Sequence, residues 1–371
     1  MKNSSNLIYY YPVSKGAPSS VGRSIFEHLL KIRDELPVDD ISLFCSSSNE
    51  PIIKNKFQDV NIYTEKNMRD ISKGIIHIPI SPHLFPNNKF LLHMYANLKR
   101  FPLILNYHGD IRTELSFNYK INRTVNYSYI PTYVFLPTLL RSSDQLIVHS
   151  YLFKKLVEEK YGVKNAKVIP NAVEDFWHSE EYSLIPKKEG FVEIFYHGRL
   201  SAEKGVDLLI KGFHKFLSNT NEQKAILYIA GEGPQKEYLA NLVDELKLTQ
   251  NVMLLGNLNK STIKGYLKKV DAAIYPSIWD NFPLSYIEAF ACANCPVYFS
   301  KKAGIYDFVM MDNNRMYSFE PNINIICDII TAVSKKDFDN LVLKDQKAFA
   351  LKYNWNNVVN DYIDVYAQFL P

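Results

Sequence analysis

The chain has 371 residues, a net charge of +4 and a 47% apolar fraction, which suits a soluble protein of two domains at roughly 150 residues each. Four cysteines in this length exclude a disulfide scaffold, and no clustered basic stripe of the nucleic-acid-binding kind is present. No window reaches the ~18 consecutive apolar residues of a membrane span, and Met1 to Tyr11 lacks the pattern of an export leader, so a cytoplasmic location is expected.

Short apolar runs alternate with amphipathic helical patterns, which predicts parallel α/β layers. In the first half the expected strands are Leu7 to Val13, Ile41 to Cys45, Ile75 to Ile80, Leu103 to Tyr107, Gln145 to His149 and Lys167 to Ile169. A helix is expected from Ser24 to Leu36. The apolar periodicity breaks near Glu174 to Gly190, where Glu180, Glu181, Pro186, Lys187 and Lys188 read as a linker. In the second half the expected strands are Glu193 to Tyr196, Ala225 to Ala230, Val252 to Leu255, Ala272 to Tyr275 and Pro296 to Phe299. Between the first two, Val206, Leu209, Ile210, Phe213, Phe216 and Leu217 recur at helical spacing and predict one buried stripe. A last helix, Trp355 to Phe369, places Val358, Val359, Tyr362, Val365, Tyr366 and Phe369 on one side. The expected domains are residues 1–180 and 188–350, both Rossmann-like, with 351–371 returning to the first. Such halves bind ligands at the carboxyl ends of their strands, in a central cleft.

Two segments carry the chemistry. Arg199 and Lys204, in His197-Gly198-Arg199-Leu200-Ser201-Ala202-Glu203-Lys204-Gly205, put two positive charges on a loop between a strand and a helix. The helix N-terminus adds free N–H groups and its positive end. Opposite unit charges at ~4 Å gain up to about 4 kcal/mol before desolvation at an effective dielectric near 20. Asp280 and Glu288 put two carboxylates at a strand-to-helix turn, Pro276-Ser277-Ile278-Trp279-Asp280-Asn281-Phe282-Pro283-Leu284-Ser285-Tyr286-Ile287-Glu288. Cations for a diphosphate and acids for ring hydroxyls are what a nucleotide-sugar site requires. Asp280 also reads as a helix cap, because Pro283 suits a first helical turn. Cys292 and Cys295 form a C-x-x-C with no second pair nearby, and read as packing residues rather than a metal or redox site.

The run Gly198-Arg199-Leu200-Ser201-x-Glu203-Lys204-Gly205-Val206-Asp207 closely resembles the signature of family 4 retaining glycosyltransferases, which have the GT-B fold. So do Gly231-Glu232-Gly233-Pro234, Asn251-Val252-x-Leu254-Leu255-Gly256 and Pro276-Ser277 leading to Asp280 and Glu288-Ala289-x-Ala291. The resemblance implies that Arg199 and Lys204 clamp a nucleotide diphosphate, that Glu288 holds ribose hydroxyls and that Asp280 binds the donor sugar. Asp280 stands where the family usually has Glu, and Pro283 where it usually has a glycine whose N–H donates to the sugar; proline has none. Backbone groups of Asn281, Phe282 and Leu284 then serve the donor. Gly231 and Gly233 let a turn pass near the nucleotide, while Asn257 and Leu258 present backbone groups to its base. In the first half, Ser20 and Gly22 fall where the family has a glycine-rich phosphate loop, and His108 falls where it has a histidine near the reacting centre.

The resemblance further implies retaining transfer of a sugar from a UDP- or GDP-linked donor to a hydroxyl of a glycan, lipid-linked or small acceptor, without metal or other cofactor. A sugar-nucleotide epimerase and a transfer-inactive nucleotide-sugar scaffold are the competing readings. Leu84 to Ser143 interleaves aromatics with Lys89, Lys99, Arg100, Arg112, Lys120, Arg123 and Arg141 against only Asp110 and Glu114. That pattern suits a solvated acceptor loop or peripheral contact with an anionic membrane. No nucleic-acid partner is expected.

Overall fold

The structure, a computed structural model, describes residues 6–13, 17–79, 88–122, 130–220, 224–312 and 315–370. The chain divides into two compact units. The first holds residues up to Asn171 together with Trp355–Pro371, and the second is Ala172–Asn354.

In the first unit the order is β1 (Asn6–Tyr10), α1 (Ala17–Lys31), β2 (Asp40–Phe44), α2 (Glu50–Lys56), β3 (Asn61–Tyr63), β4 (Ile75–Ile78), α3 (Asn88–Lys99), β5 (Leu103–Tyr107), α4 (Ile111–Asn122), α5 (Ile130–Arg141), β6 (Gln145–Val148), α6 (Tyr151–Tyr161) and β7 (Ala166–Val168). The strands form one parallel sheet ordered β3-β2-β1-β4-β5-β6-β7. The second unit runs β8 (Val192–His197), α7 (Val206–Thr220), β9 (Ala225–Ala230), α8 (Lys236–Glu245), β10 (Val252–Gly256), α9 (Lys260–Lys269), β11 (Ala272–Tyr275), α10 (Leu284–Cys292), β12 (Val297–Ser300), α11 (Ile305–Met311), β13 (Tyr317–Phe319), α12 (Ile323–Ser334) and α13 (Leu341–Lys352). Its parallel sheet is ordered β10-β9-β8-β11-β12-β13. In each sheet the strand order reverses once, between β1 and β4 and between β8 and β11, and the carboxyl ends on either side of such a reversal are where open α/β sheets bind ligands.

Strands buried on both faces need continuous apolar runs, and β9 (AILYIA) is buried along its whole length. Of the predicted α7 stripe, Val206, Leu209, Ile210, Phe213 and Phe216 are buried and Leu217 is half-buried. Two three-residue strands at sheet edges, β3 and β13, carry no periodicity that the sequence reading could detect.

The Glu174–Gly190 stretch is packed on the second unit instead of forming a bare linker. Trp177 is buried, and the Lys264 ammonium donates to the carbonyls of Phe176 (2.7 Å) and Ser179. A polar, proline-containing sequence reads as a linker, but one buried indole and one ammonium with carbonyl partners suffice to dock it.

The last helix, α14 (Trp355–Ala367), belongs to the first unit, where it packs on α1. Of its predicted apolar side, Val358, Val359, Tyr362, Val365 and Tyr366 are buried, while Phe369 lies past the helix end and is half-buried. A polar network reaches from it into the sheet. His77 on β4 contacts Tyr366 Oη through Nδ1 (2.8 Å) and Asn106 Oδ1 through Nε2 (2.8 Å), and Asn106 donates to Tyr362 Oη (3.1 Å). Burial pushes the His77 imidazole down to about 4, and that of His93 on α3 likewise to about 4. Both are neutral in the folded chain while the unfolded chain binds protons below about 6.5.

Their stabilising contribution is therefore complete above pH ~6.5 and is lost as pH falls through about 4. Urea midpoints should decline across that window, and less steeply in a His77→Gln protein. Tyr366→Phe removes one of the ring's partners and should lower stability by about 1–3 kcal/mol at neutral pH. A flat pH profile or an unshifted midpoint would rule out this account of α14.

Candidate functional site

The two segments singled out in the sequence come together in the second unit at the reversal between β8 and β11. The β8 loop closes with Gly205, whose φ of +63° is left-handed and whose position leaves no room for a side chain: an added Cβ would lie 2.3 Å from the Pro276 carbonyl oxygen. The Glu203 carbonyl accepts from the N–H groups of Ile278 (2.8 Å) and Trp279 (3.3 Å) in the β11 loop. Lys204 Nζ donates to Asp280 Oδ2, while Asp280 Oδ1 accepts from the Asn281 N–H at 2.9 Å. Both side chains are largely covered, at 19% and 12% exposure.

Asp280 therefore does not cap α10, which has no side-chain cap at all, and Pro283 occupies the N-cap position. The carboxylate is spent on the ammonium and on its own loop. An ammonium has three N–H donors and each carboxylate oxygen two acceptor sites, so the pair retains capacity toward a ligand on both sides. Arg199 is exposed, and its backbone is held by Tyr196 Oη donating to its carbonyl at 3.1 Å.

Glu288, on α10, is held by a relay that the sequence reading did not identify. His197 ends β8 and Tyr275 ends the adjacent β11. His197 Nε2 lies 3.1 Å from Glu288 Oε2, and Tyr275 Oη lies 2.8 Å from His197 Nδ1. A carboxylate only accepts, so the Nε2 proton points at Glu288, and Nδ1 faces the Tyr275 hydroxyl. The imidazole is buried between aromatic planes, with Phe195 at 5.6 Å and Trp177 at 6.3 Å between centroids. Burial and then the Glu288 charge raise the Tyr275 hydroxyl well above its ordinary range, keeping it a proton donor. The available signal was adjacency alone: His197 immediately precedes Gly198-Arg199, and Tyr275 immediately precedes Pro276-Ser277.

The remaining residues of the second unit surround this core. Gly231 has φ +142°, and an added Cβ would sit 1.8 Å from the Gly198 carbonyl oxygen, so its bareness serves contact between the β8 and β9 loops. Leu200 N–H donates to the Glu232 carbonyl (2.9 Å) and Gln235 N–H to the Leu200 carbonyl (2.9 Å), which also places Gly233 against Leu200. The close backbone approach that these glycines allow is to the protein's own chain. Gly231 N–H donates to the Gly256 carbonyl at 2.7 Å, bringing exposed Asn257 and half-buried Leu258 beside the same loops. Asn281 and Phe282 are buried, and Leu284 opens α10.

The first unit contributes differently from expectation. Ser20 and Gly22 lie inside α1, which starts at Ala17, and not in a loop. The amide of Gly22 in the second turn belongs to the helical ladder, so a phosphate loop there is not formed as expected. His108 follows β5, and its Nε2–H donates to the Pro79 carbonyl at 2.7 Å beside the β1/β4 reversal. It stacks on His149 at 4.4 Å, and burial pushes its imidazole down to about 4, so the ring is neutral at physiological pH. Of the basic stretch, Arg123 and the side chain of Lys120 lie outside the described residues.

The cysteines of the C-x-x-C are buried free thiols, raised by burial, with Cys292 Sγ donating to the Glu288 carbonyl at 3.2 Å. Among the described residues no cluster of His, Cys, Asp or Glu has the makings of a metal site.

Residues 180–348 match the family described as Glycosyl transferases group 1. An uncharacterized glycosyltransferase of Methanocaldococcus jannaschii, MJ1607, is 30% identical over 175 residues, 47% of this chain and 44% of that protein. The lipopolysaccharide 1,2-N-acetylglucosaminetransferase of Salmonella typhimurium is 25% identical over 245 residues, 62% and 63% of the two chains. The matches thus span about half the length of these relatives. Among solved structures, Anabaena Alr3699/HepE in complex with UDP and glucose superimposes with a TM-score of 0.69 at 14% identity, covering 98% of this chain and 100% of that one. The fold is GT-B, and the match to glycosyl transferases group 1 lies within the second unit.

His197→Ala should strand the buried Tyr275 hydroxyl and lower stability by about 1–3 kcal/mol. Urea unfolding followed by tryptophan fluorescence reads this directly, since Trp177 stacks on the ring. A variant as stable as the parent would show that the relay carries no structural weight.

Proposed function

We propose that the protein is a retaining glycosyltransferase that moves a sugar from a nucleoside-diphosphate donor to a hydroxyl of a glycan, lipid-linked or small acceptor. The observation that carries this reading is the backbone seam placing the Arg199–Lys204 loop against Asp280. In this reading Arg199 and Lys204 neutralise the departing diphosphate, so no metal is needed to do so. Asp280 orients Lys204 and offers its remaining acceptor sites to the sugar. Glu288, aligned by His197, accepts from ribose hydroxyls.

The bond from the sugar's anomeric carbon to the phosphate oxygen breaks, and one from that carbon to the acceptor oxygen forms on the same face. The acceptor's proton passes to the departing phosphate. This front-face step requires neither a covalent intermediate nor a second carboxylate on the opposite ring face. His108 is neutral with its Nε2–H committed to the Pro79 carbonyl, so it is not a proton donor through Nε2.

UDP is the first nucleotide to test, because the HepE neighbour carries it. The Salmonella relative is named for lipopolysaccharide, which supports a lipid-linked acceptor and peripheral membrane contact.

A thermal-shift panel of UDP- and GDP-sugars should single out one donor, and mass detection should then find a glycosylated product. Lys204→Ala should lower kcat by about a hundredfold or more while the chain stays folded; full turnover would remove Lys204 from the mechanism. Glu288→Gln should weaken donor binding about 10- to 100-fold by calorimetry, and an unchanged Kd would refute its ribose role.

A further inference from the structure

We propose that the outer face of α3 and α5 in the first unit docks on an anionic lipid bilayer. The strand order takes the chain from β4 to β5 to β6 in one direction, and right-handed crossovers place both helices on the same side of the sheet. His93 on α3 is bonded to Ser142, just past α5, at 2.8 Å.

Each helix buries one side, α3 through Leu92 and Ala96 against β4 and β5, and α5 through Leu136 and Leu140. The opposite sides should be polar, and they are not. On α3, Leu91, Met94 and Leu98 are 46%, 51% and 80% exposed, at the i, i+3, i+7 spacing of a single stripe. On α5, Ile130, Val134 and Phe135 are 45%, 57% and 55% exposed. Single exposed apolar side chains are ordinary, whereas six on two neighbouring helices mark an interaction surface.

The charge on the same helices selects the partner. Neither α3 (NKFLLHMYANLK) nor α5 (IPTYVFLPTLLR) contains Asp or Glu. Lys99 and Arg100 stand at the end of α3 and Arg141 at the end of α5, all exposed. Both helices lead into parallel neighbouring strands, so these cations gather at one edge of the apolar face. Apolar side chains entering the acyl boundary beside cations facing headgroups is the pattern of an interfacial helix. Three such cations contribute about a hundredfold to binding at an anionic surface. The proposal extends the lipid-linked acceptor of the proposed function and rests on that reading only for which acceptor the surface would serve.

The full chain should co-sediment with phosphatidylcholine vesicles containing phosphatidylglycerol, weakly or not with phosphatidylcholine alone, and less as salt is raised. Met94→Glu with Leu98→Glu should abolish binding, and Lys99→Glu with Arg100→Glu should weaken it at least tenfold. Ile52→Glu, on α2 across the sheet and 69% exposed, should bind like the parent. Circular dichroism and the urea midpoint check that each variant is folded. Failure to bind phosphatidylglycerol vesicles, or equal binding by all variants, overturns the proposal. So does a parent dimer that Leu98→Glu makes monomeric with no vesicle binding, which would assign the face to a second copy. Vesicle binding requires neither donor nor transfer, so its failure would leave the sugar-transfer reading to its own assays.

Discussion

The candidate site depends on a contact between two backbones. At Gly205 the β8 loop lies so close to the Pro276 carbonyl that no side chain fits between them, and the Glu203 carbonyl ties the same loop to Ile278 and Trp279. Lys204 and Asp280 are positioned by this seam. Lys204 meets Asp280 across 76 residues of sequence because their loops are already joined, not because two flexible side chains found each other. An ion pair built on a rigid backbone loses less entropy than one between mobile stems.

Behind the seam, polar groups in apolar surroundings are paired in series. His197 sits between aromatic planes, with one ring nitrogen on Tyr275 and the other on Glu288. The arrangement fixes the tautomer, and the tautomer fixes the direction in which the Glu288 carboxylate is held. The glycines of the β9 loop serve the same end: Gly231 lets that loop rest on Gly198, so three strand-end loops support one another. Preorganised dipoles and charges are what electrostatic catalysis draws on.

The first unit follows the same logic with different chemistry. Its last helix arrives from the far end of the chain and is keyed to the sheet by His77, Asn106, Tyr362 and Tyr366, a network with its donors and acceptors matched in a dry interior. His108 stays neutral because burial forbids the charge, and its carbonyl partner on Pro79 holds it at the carboxyl edge of the sheet. The helices on one side of this sheet present apolar and cationic groups outward, a composition that water alone does not reward.

The chain's periodicity determined most of the fold. Leu103–Tyr107, Ala225–Ala230 and Ala272–Tyr275 fall where alternating apolar runs and breakers place them, because a strand buried on both faces has no other way to be written. The edge strands Asn61–Tyr63 and Tyr317–Phe319, three residues long and half-exposed, were not expected, although the equally short Ala166–Val168 overlaps the expected Lys167 to Ile169. The charged residues of the site were legible as types, and the grouping of Arg199 and Lys204 with Asp280 and Glu288 could be read from order and spacing. Tertiary structure alone decided what each one touches. It gave Asp280 to Lys204 instead of to a helix end, put Ser20 and Gly22 inside a helix, docked Glu174–Gly190 on the second unit and brought His197 and Tyr275 behind Glu288. The division has a physical cause. Burial and local conformation depend on neighbours within a few residues, so they are written in the sequence, whereas a hydrogen bond between strand ends depends on which strands lie side by side, and that is settled only when the whole sheet forms.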